Sequence, residues 1–160
     1  MRLRRNLPRF NLKMAGLLLC VTCCHAENPD IAIIVNKGVP VENLTFAEVR
    51  KVFRGERQFW NSDLRVTLLV RAPVAHERDV VLKKIYEMSE AQYRQYWISK
   101  VFRADIALSP KIVYTNDMAT ELVTAIPGAV SFIEANNVPA GFKVVKVDGI
   151  KPGEQGYPLR

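Results

Sequence analysis

The hydrophobic pattern of this chain switches between two periods. Five short apolar, β-branched runs bounded by turn residues are typical of buried strands, and four longer segments repeat apolar residues at helical spacing. The predicted strands are residues 31–36, 65–70, 112–114, 129–133 and 142–147, and the predicted helices are 45–53, 76–88, 89–102 and 116–126. This alternation predicts one α/β domain with a mixed or mostly parallel sheet flanked by helices. The Gly- and Pro-rich residues after Asp148 predict an irregular tail.

Two helix starts carry capping boxes, Thr45 with Glu48 and Ser89 with Gln92. We expect Tyr93, Trp97 and Val101 to share the buried face of the helix that Ser89 opens. Aromatic side chains dominate buried area, so we expect them in the core rather than as stacking platforms for bases or sugars. The aromatic residues expected in the core are Phe53, Phe59, Trp60, Tyr93, Tyr96, Trp97 and Phe102.

The amino-terminal segment has the pattern of a secretory signal peptide. Five basic residues and no acid lie in the first fourteen positions, a Leu-rich run follows over 15–21, and small residues precede a cut that we place after Ala26. The apolar run is too short to span a membrane. We therefore expect residues 1–26 to be removed, and the mature domain 27–160 to be periplasmic or secreted with no integral membrane span. Lipidation at Cys20, Cys23 or Cys24 is the alternative.

Most of the positive net charge of the chain lies in the predicted signal peptide. The full chain carries 23 basic and 16 acidic residues, a net charge of +7. Removing the five basic residues of the first 26 positions leaves 18 against 16, a net charge of +2. Electrostatic attraction to nucleic acid therefore loses its support, and we expect no nucleic-acid partner. All three cysteines fall in the removed segment, so the mature chain has no disulfide.

The catalytic patterns of common enzyme classes are missing from this sequence. The mature chain has one histidine, His76, which excludes a histidine metal cluster. It has no Gly-x-Ser-x-Gly elbow and no Gly-rich phosphate loop. We therefore expect no enzymatic activity, no bound metal and no cofactor.

The candidate ligand-binding residues lie at the turn between the strand 65–70 and the helix that begins at His76. Arg71 stands at the strand exit and Arg78 in the first helical turn. Ligands of α/β sheets bind at the carboxyl ends of the strands, where helix N-termini favour anions. Arginine is suited to holding an oxyanion there. The alternative is that Arg71 is a surface ion-pair partner and Arg78 is merely solvated.

Several motifs, taken in chain order, carry a family resemblance. They are Ile31-Ala-Ile-Ile-Val-Asn36, Phe53-Arg-Gly55 followed by Trp60, the strand ending in Arg71, Tyr96-Trp97, Pro127-Gly-Ala-Val-Ser-Phe132 and Tyr157-Pro-Leu159. In this order they resemble the phosphate-binding proteins of bacterial ABC importers, over nearly all of residues 31–159. The resemblance implies a periplasmic-binding-protein-like lobe that binds a phosphate-like anion. Family members have two lobes that close on the anion, and the mature chain is long enough for about one.

The phosphate loop departs from the family pattern Arg-x-x-x-Ser-Gly-Thr. Arg71 matches the arginine, but Ala75, His76 and Glu77 stand where the family has Ser-Gly-Thr. Ala75 has no donor side chain, and Glu77 brings a negative charge. Like charges about 4 Å apart at a protein surface repel by roughly 4 kcal/mol, comparable to the binding free energy of a millimolar complex. The candidate ligand-binding residues are Arg71, Ala75, His76, Glu77 and Arg78, and we expect weak anion binding.

Two functions are compatible with this sequence. The first is an exported, non-enzymatic solute-binding-like protein that binds phosphate or another small anion weakly. The alternative is an envelope scaffold or adaptor that has lost ligand binding and contacts a protein partner.

Overall fold

The computed structural model describes residues 29–106 and 109–160. The strands are β1 (Ile31–Val35), β2 (Asn43–Leu44), β3 (Thr67–Arg71), β4 (Lys111–Val113), β5 (Ala129–Glu134) and β6 (Lys143–Val147). The helices are α1 (Phe46–Phe53), α2 (His76–Val81), which continues as a π-helix (Leu82–Tyr86), α3 (Glu90–Phe102) and α4 (Asn116–Ala125), and a 3₁₀ turn spans Ala135–Asn137. The predicted signal-peptide cut and the lipidation alternative lie outside the described residues.

The strands form one mixed sheet in the order β2-β6-β1-β5-β3-β4. β1 pairs antiparallel with both of its neighbours, β5 and β6. The other pairings, β2 with β6, β3 with β5 and β3 with β4, are parallel. Five of the six described strands therefore run in one direction and β1 runs against them. The predicted α/β class with a mixed or mostly parallel sheet is confirmed.

Helices cover both faces of the sheet. On one face, α1, the α2–π segment and α3 pack Val52, Ile85 and Trp97 against alternate residues of β1, including Ile33. On the opposite face, α4 packs against a smaller cluster that contains Ile34. Because successive strand side chains point to opposite faces, the continuous apolar run of β1 supplies both cores.

Close backbone contacts fix the start of β3 against the start of β5. Gly128 has φ +73°, and a Cβ at this position would lie 2.0 Å from the carbonyl oxygen of Arg65. The Gly128 carbonyl accepts hydrogen bonds from the Thr67 amide at 3.0 Å and from the indole of Trp60 at 2.8 Å. Only glycine fits this approach, so the Pro-Gly that ends α4 also sets the register of two strands.

Local signals placed the helix starts correctly. Both predicted capping boxes are present, at Thr45 with Glu48 and at Ser89 with Gln92. The predicted helix over 76–88 is shorter than expected, because its π-helical end stops at Tyr86 and Glu87 adopts φ +55°.

Three residues expected in the core are exposed, so those predictions are wrong. Phe59 is 43% exposed, Val101 48% and Phe102 90%. On α3, a four-residue step advances about 40° beyond a full turn. Val101, two such steps from Tyr93, has therefore rotated off the buried face. Phe59 lies in a loop, where the guanidinium of Arg65 covers its ring at 4.9 Å.

The tail after Asp148 is irregular, as predicted, but it is anchored to the core. Tyr157 and Leu159 are buried. The Ile31 amide donates to the Leu159 carbonyl at 2.8 Å, and the Tyr157 hydroxyl donates to the Ile31 carbonyl at 2.8 Å. Within residues 29–106 and 109–160, no helix has the length and apolar character needed to cross a bilayer.

Candidate functional site

Arg71 is the last residue of β3, at the carboxyl edge of the sheet. β3 lies between β5 and β4, and Arg71 pairs in register with Val113 of β4. The Ala72 amide donates to the Val113 carbonyl at 2.9 Å, which extends this pairing by one residue. A strand with neighbours on both sides buries its residues, and Arg71 is only 7% exposed.

The turn after β3 leads into α2 without a side-chain cap. Ala75 is the N-cap residue, in extended conformation, and no side chain accepts a hydrogen bond from the first turn of α2. Alanine has no acceptor, so this outcome follows from the residue type. Ala75 is half-buried and His76 is exposed to solvent. Neither residue supplies the side-chain hydroxyl that the resemblance would require.

Glu77 turns inward and contacts Arg71. The Nε of Arg71 donates to Oε1 of Glu77 at 3.4 Å, and the two side chains are 8% and 7% exposed. This is a long, single contact between buried opposite charges. The Nη1 atom of Arg71 is also buried, and it has no hydrogen-bond partner within the described part of the chain. Arg71 therefore retains unused donor capacity.

Arg78 is held completely by its surroundings. Its Nε and Nη2 donate to the two carboxylate oxygens of Glu90 at 2.8 and 2.9 Å, and its Nη1 donates to the carbonyl of Arg71 at 2.7 Å. The guanidinium carbon lies 4.6 Å from the ring centroid of Tyr93. Burial is the largest single influence and acts to lower the pKa of Arg78, but the hydrogen bond to Glu90 together with the electrostatic influence of Tyr93, Glu90 and Tyr86 outweighs it, so the pKa is raised.

The interpretation that Arg78 is merely solvated is therefore wrong, because Arg78 is 3% exposed and tied to Glu90. Arg71 does form an ion pair, but a buried one rather than a surface one. Sequence reasoning missed Glu90. It belongs to a different helix, twelve positions from Arg78, and only the packing of α3 beside α2 brings the two together.

A second helix begins at the same edge of the sheet. β3 and β4 are parallel, so their carboxyl ends coincide, and α4 starts at Asn116 just after β4. Thr115 caps α4 by accepting from the Met118 amide at 3.0 Å. The Oδ1 atom of Asn116 is buried and accepts no hydrogen bond within residues 29–106 and 109–160. One buried donor and one buried acceptor without partners therefore lie at this edge.

The opposite end of β3 offers little room for a ligand. A partly enclosed cavity of about 50 Å³ there is lined by Thr67, Leu68, Trp97 and neighbouring residues. This volume holds one or a few waters. Among the described residues, no group of three or more His, Cys, Asp or Glu side chains is placed to hold a metal ion.

No protein-family model matches the chain. Solved structures do match it. An ABC-type phosphate transport receptor from Vibrio cholerae superposes with a TM-score of 0.66 at 22% identity, covering 82% of this chain and 53% of the receptor. PstS from Borrelia burgdorferi gives 0.64 at 14% identity, covering 82% of this chain and 54% of that protein.

A third match is a candidate phosphate ABC transporter substrate-binding protein from Clostridium perfringens, determined with bound phosphate. Its TM-score is 0.62 at 20% identity, and the match covers 78% of this chain and 47% of that protein. The chain thus spans about half the length of these proteins. The resemblance carried by the motifs is confirmed for the fold, which is that of one lobe of a phosphate-type substrate-binding protein.

Proposed function

We propose that this protein is an exported, non-enzymatic solute-binding-like lobe that binds a small oxyanion such as phosphate weakly through Arg71. The proteins that share its fold are named for phosphate transport and substrate binding, and those names supply the ligand class. The observation that carries the proposal is Arg71 itself. Its guanidinium is buried at the carboxyl edge of the sheet with the Nη1 donor unpartnered in the described structure.

Glu77 acts in this proposal as an internal competitor of the anion. Its carboxylate occupies the Nε side of Arg71 at 3.4 Å. At an effective dielectric constant of about 20, opposite charges at this distance attract by about 5 kcal/mol before desolvation. An incoming anion gains the free Nη1 donor but meets the negative charge of Glu77. Binding is therefore weak in the native protein.

The same carboxylate favours an anion that carries a proton. An ionised Glu only accepts hydrogen bonds, so Glu77 can accept one from the hydroxyl of hydrogen phosphate. Sulfate has no proton at neutral pH, and its oxygens only repel the carboxylate. We therefore expect phosphate to bind more tightly than sulfate, although both fit a guanidinium.

The test is calorimetric titration of the mature protein with phosphate and with sulfate, repeated on Glu77→Gln and on the double variant Arg71→Met/Glu77→Gln. Removing both charges of a buried pair costs far less stability than removing one, so the double variant remains folded. Weak phosphate binding that strengthens in Glu77→Gln and disappears in the double variant supports the proposal. Phosphate binding that survives in the double variant refutes the proposal, because Arg71 is then not required for binding.

The second candidate function is an envelope scaffold or adaptor without a ligand. It is favoured by the pairing of both arginines with carboxylates of the same chain, Arg71 with Glu77 and Arg78 with Glu90. If neither the native protein nor Glu77→Gln responds to phosphate, this second function replaces the first.

A further inference from the structure

The outer side of α3 exposes a line of four residues, Ala91, Gln95, Ile98 and Phe102, which we call the seam. Ile98 is 62% exposed and Phe102 90% exposed, and both project from the helix face opposite the buried residues Tyr93 and Trp97. Exposed Ala91 and Gln95 continue the same line. Large exposed hydrophobic side chains grouped on one helix face mark an interaction surface.

The spacing of this seam is that of a helix-packing interface. Ala91, Gln95, Ile98 and Phe102 are separated by four, three and four residues. This is the 3.5-residue repeat by which one helix seats against another. Gln95, Ile98, Ser99, Phe102 and Arg103 line an open groove of about 370 Å³. This shallow depression can receive side chains that protrude from a partner helix.

The charges beside the seam are basic. Arg94 is exposed, lies one turn before Ile98 and has no ion pair in the described structure. Arg103 follows the helix, and its partner within residues 29–106 and 109–160 is Asp105, at 3.0 Å with both side chains exposed. The carboxylate nearest the helix start, that of Glu90, is held by Arg78. Among the described residues, the cations beside the seam are therefore Arg94, which has no ion pair, and Arg103, which shares an exposed ion pair with Asp105.

We propose that the seam of α3, defined as Ala91, Gln95, Ile98 and Phe102, docks an amphipathic helix of a partner protein that carries acidic residues beside its apolar stripe. Acidic flanks complement Arg94 and Arg103, as charged flanking positions set partner choice in coiled coils. A second copy of this chain is disfavoured, because it would bring a second Arg94 to the contact and, among the described residues beside the seam, no unpaired carboxylate.

The test uses two synthetic helical peptides of about three heptads with Leu at the a and d positions. One peptide has Glu at all flanking e and g positions, and its twin has Lys there. Isothermal titration is run against the full mature protein and its variants Phe102→Ser, Ile98→Ser and Arg94→Glu. Val74→Ser is the matched control, because Val74 is 96% exposed but lies in the turn after β3. These exposed positions contribute little to folding stability.

We expect the Glu peptide to bind at least about tenfold more tightly than the Lys peptide. The Phe102→Ser and Ile98→Ser variants should bind the Glu peptide about tenfold or more weakly than the native protein does. Val74→Ser should bind it like the native protein. Arg94→Glu should shift the preference toward the Lys peptide. Equal binding of both peptides, no detectable binding, or binding unchanged by Phe102→Ser overturns the proposal. So does a native dimer that Phe102→Ser dissociates in light scattering, or attachment to phosphatidylglycerol vesicles that Phe102→Ser abolishes.

Discussion

Replacing Glu77 by Gln separates the charge of this side chain from its size. The variant keeps an amide oxygen near Arg71 but removes the negative charge that lies 3.4 Å from Nε. A guanidinium that is 7% exposed then has no counter-charge. Breaking one half of a buried ion pair typically costs about 3–5 kcal/mol. We therefore expect Glu77→Gln to lower the free energy of unfolding by an amount in this range in anion-free buffer.

Phosphate should recover part of this loss. The added anion replaces the missing charge, and hydrogen bonds to a charged group contribute about 1.5–3 kcal/mol, or roughly 10- to 150-fold in affinity. A ligand at about ten times its Kd stabilises the native state by about 1.4 kcal/mol. Urea denaturation with and without phosphate, together with calorimetric titration, measures both effects.

Glu90→Gln is the matched control for this experiment. Glu90 also holds a buried arginine, with two bonds to Arg78 at 2.8 and 2.9 Å. Its removal should destabilise the protein to a similar extent, but Arg78 still donates to the Arg71 carbonyl and does not gain an anion site. If phosphate stabilises Glu90→Gln as much as Glu77→Gln, the effect is nonspecific and the reasoning about Arg71 fails.

Four further outcomes are expected. Replacing Ala75–Glu77 with Ser-Gly-Thr should strengthen phosphate binding in calorimetry, since it adds two hydroxyl donors and removes the opposing charge; an unchanged titration would contradict this. Trp97→Ala should lower the free energy of unfolding measured in urea by about 3–5 kcal/mol, because Trp97 is 7% exposed in the main core. A native-like denaturation midpoint would show that the side chain contributes little to packing. Burial raises the pKa of Tyr93 to about 12, whereas its pKa in the unfolded chain is about 10. Between these two values the unfolded chain loses the proton first, so the free energy of unfolding should fall as the pH rises from about 10 to about 12, and this fall should be smaller in Tyr93→Phe. Intact mass of the exported protein should begin near Glu27, and a retained leader would exclude the predicted cut after Ala26.

Sequence patterns predicted the features that depend on neighbouring residues. The capping boxes at Thr45 and Ser89 fix helix starts through contacts three positions away, so they are readable locally. Strand β2 was missed because it contains only Asn43 and Leu44, too few residues to show an alternation. The buried position of Leu159 was missed for a different reason. Gly and Pro indicate an irregular backbone, but they say nothing about whether a segment packs on the first residue of β1.

In the candidate site, too, features set by residue type and spacing were predictable, and features set by helix packing were not. The strand exit, the absence of a side-chain cap at Ala75 and the negative charge of Glu77 were readable from residue types and spacing. The inward direction of Glu77 and the capture of Arg78 by Glu90 were not, because both depend on how α2 and α3 pack. A side chain in a first helical turn can face solvent or sheet, and a shift of one position in the helix start decides which.

The two arginines of this turn therefore have different capacities, despite lying seven positions apart with similar burial. A guanidinium carries five N–H donors. Arg78 uses all three of its nitrogens in hydrogen bonds of 2.7–2.9 Å, one to a backbone carbonyl and two to a carboxylate. In the described structure, the guanidinium of Arg71 makes one hydrogen bond, to Glu77 at 3.4 Å, and its buried Nη1 has no partner. An unsatisfied buried donor costs about 1–3 kcal/mol, and any anion or water that reaches it recovers that free energy. Anion binding in this protein should therefore depend on Arg71 and be insensitive to the pairing of Arg78.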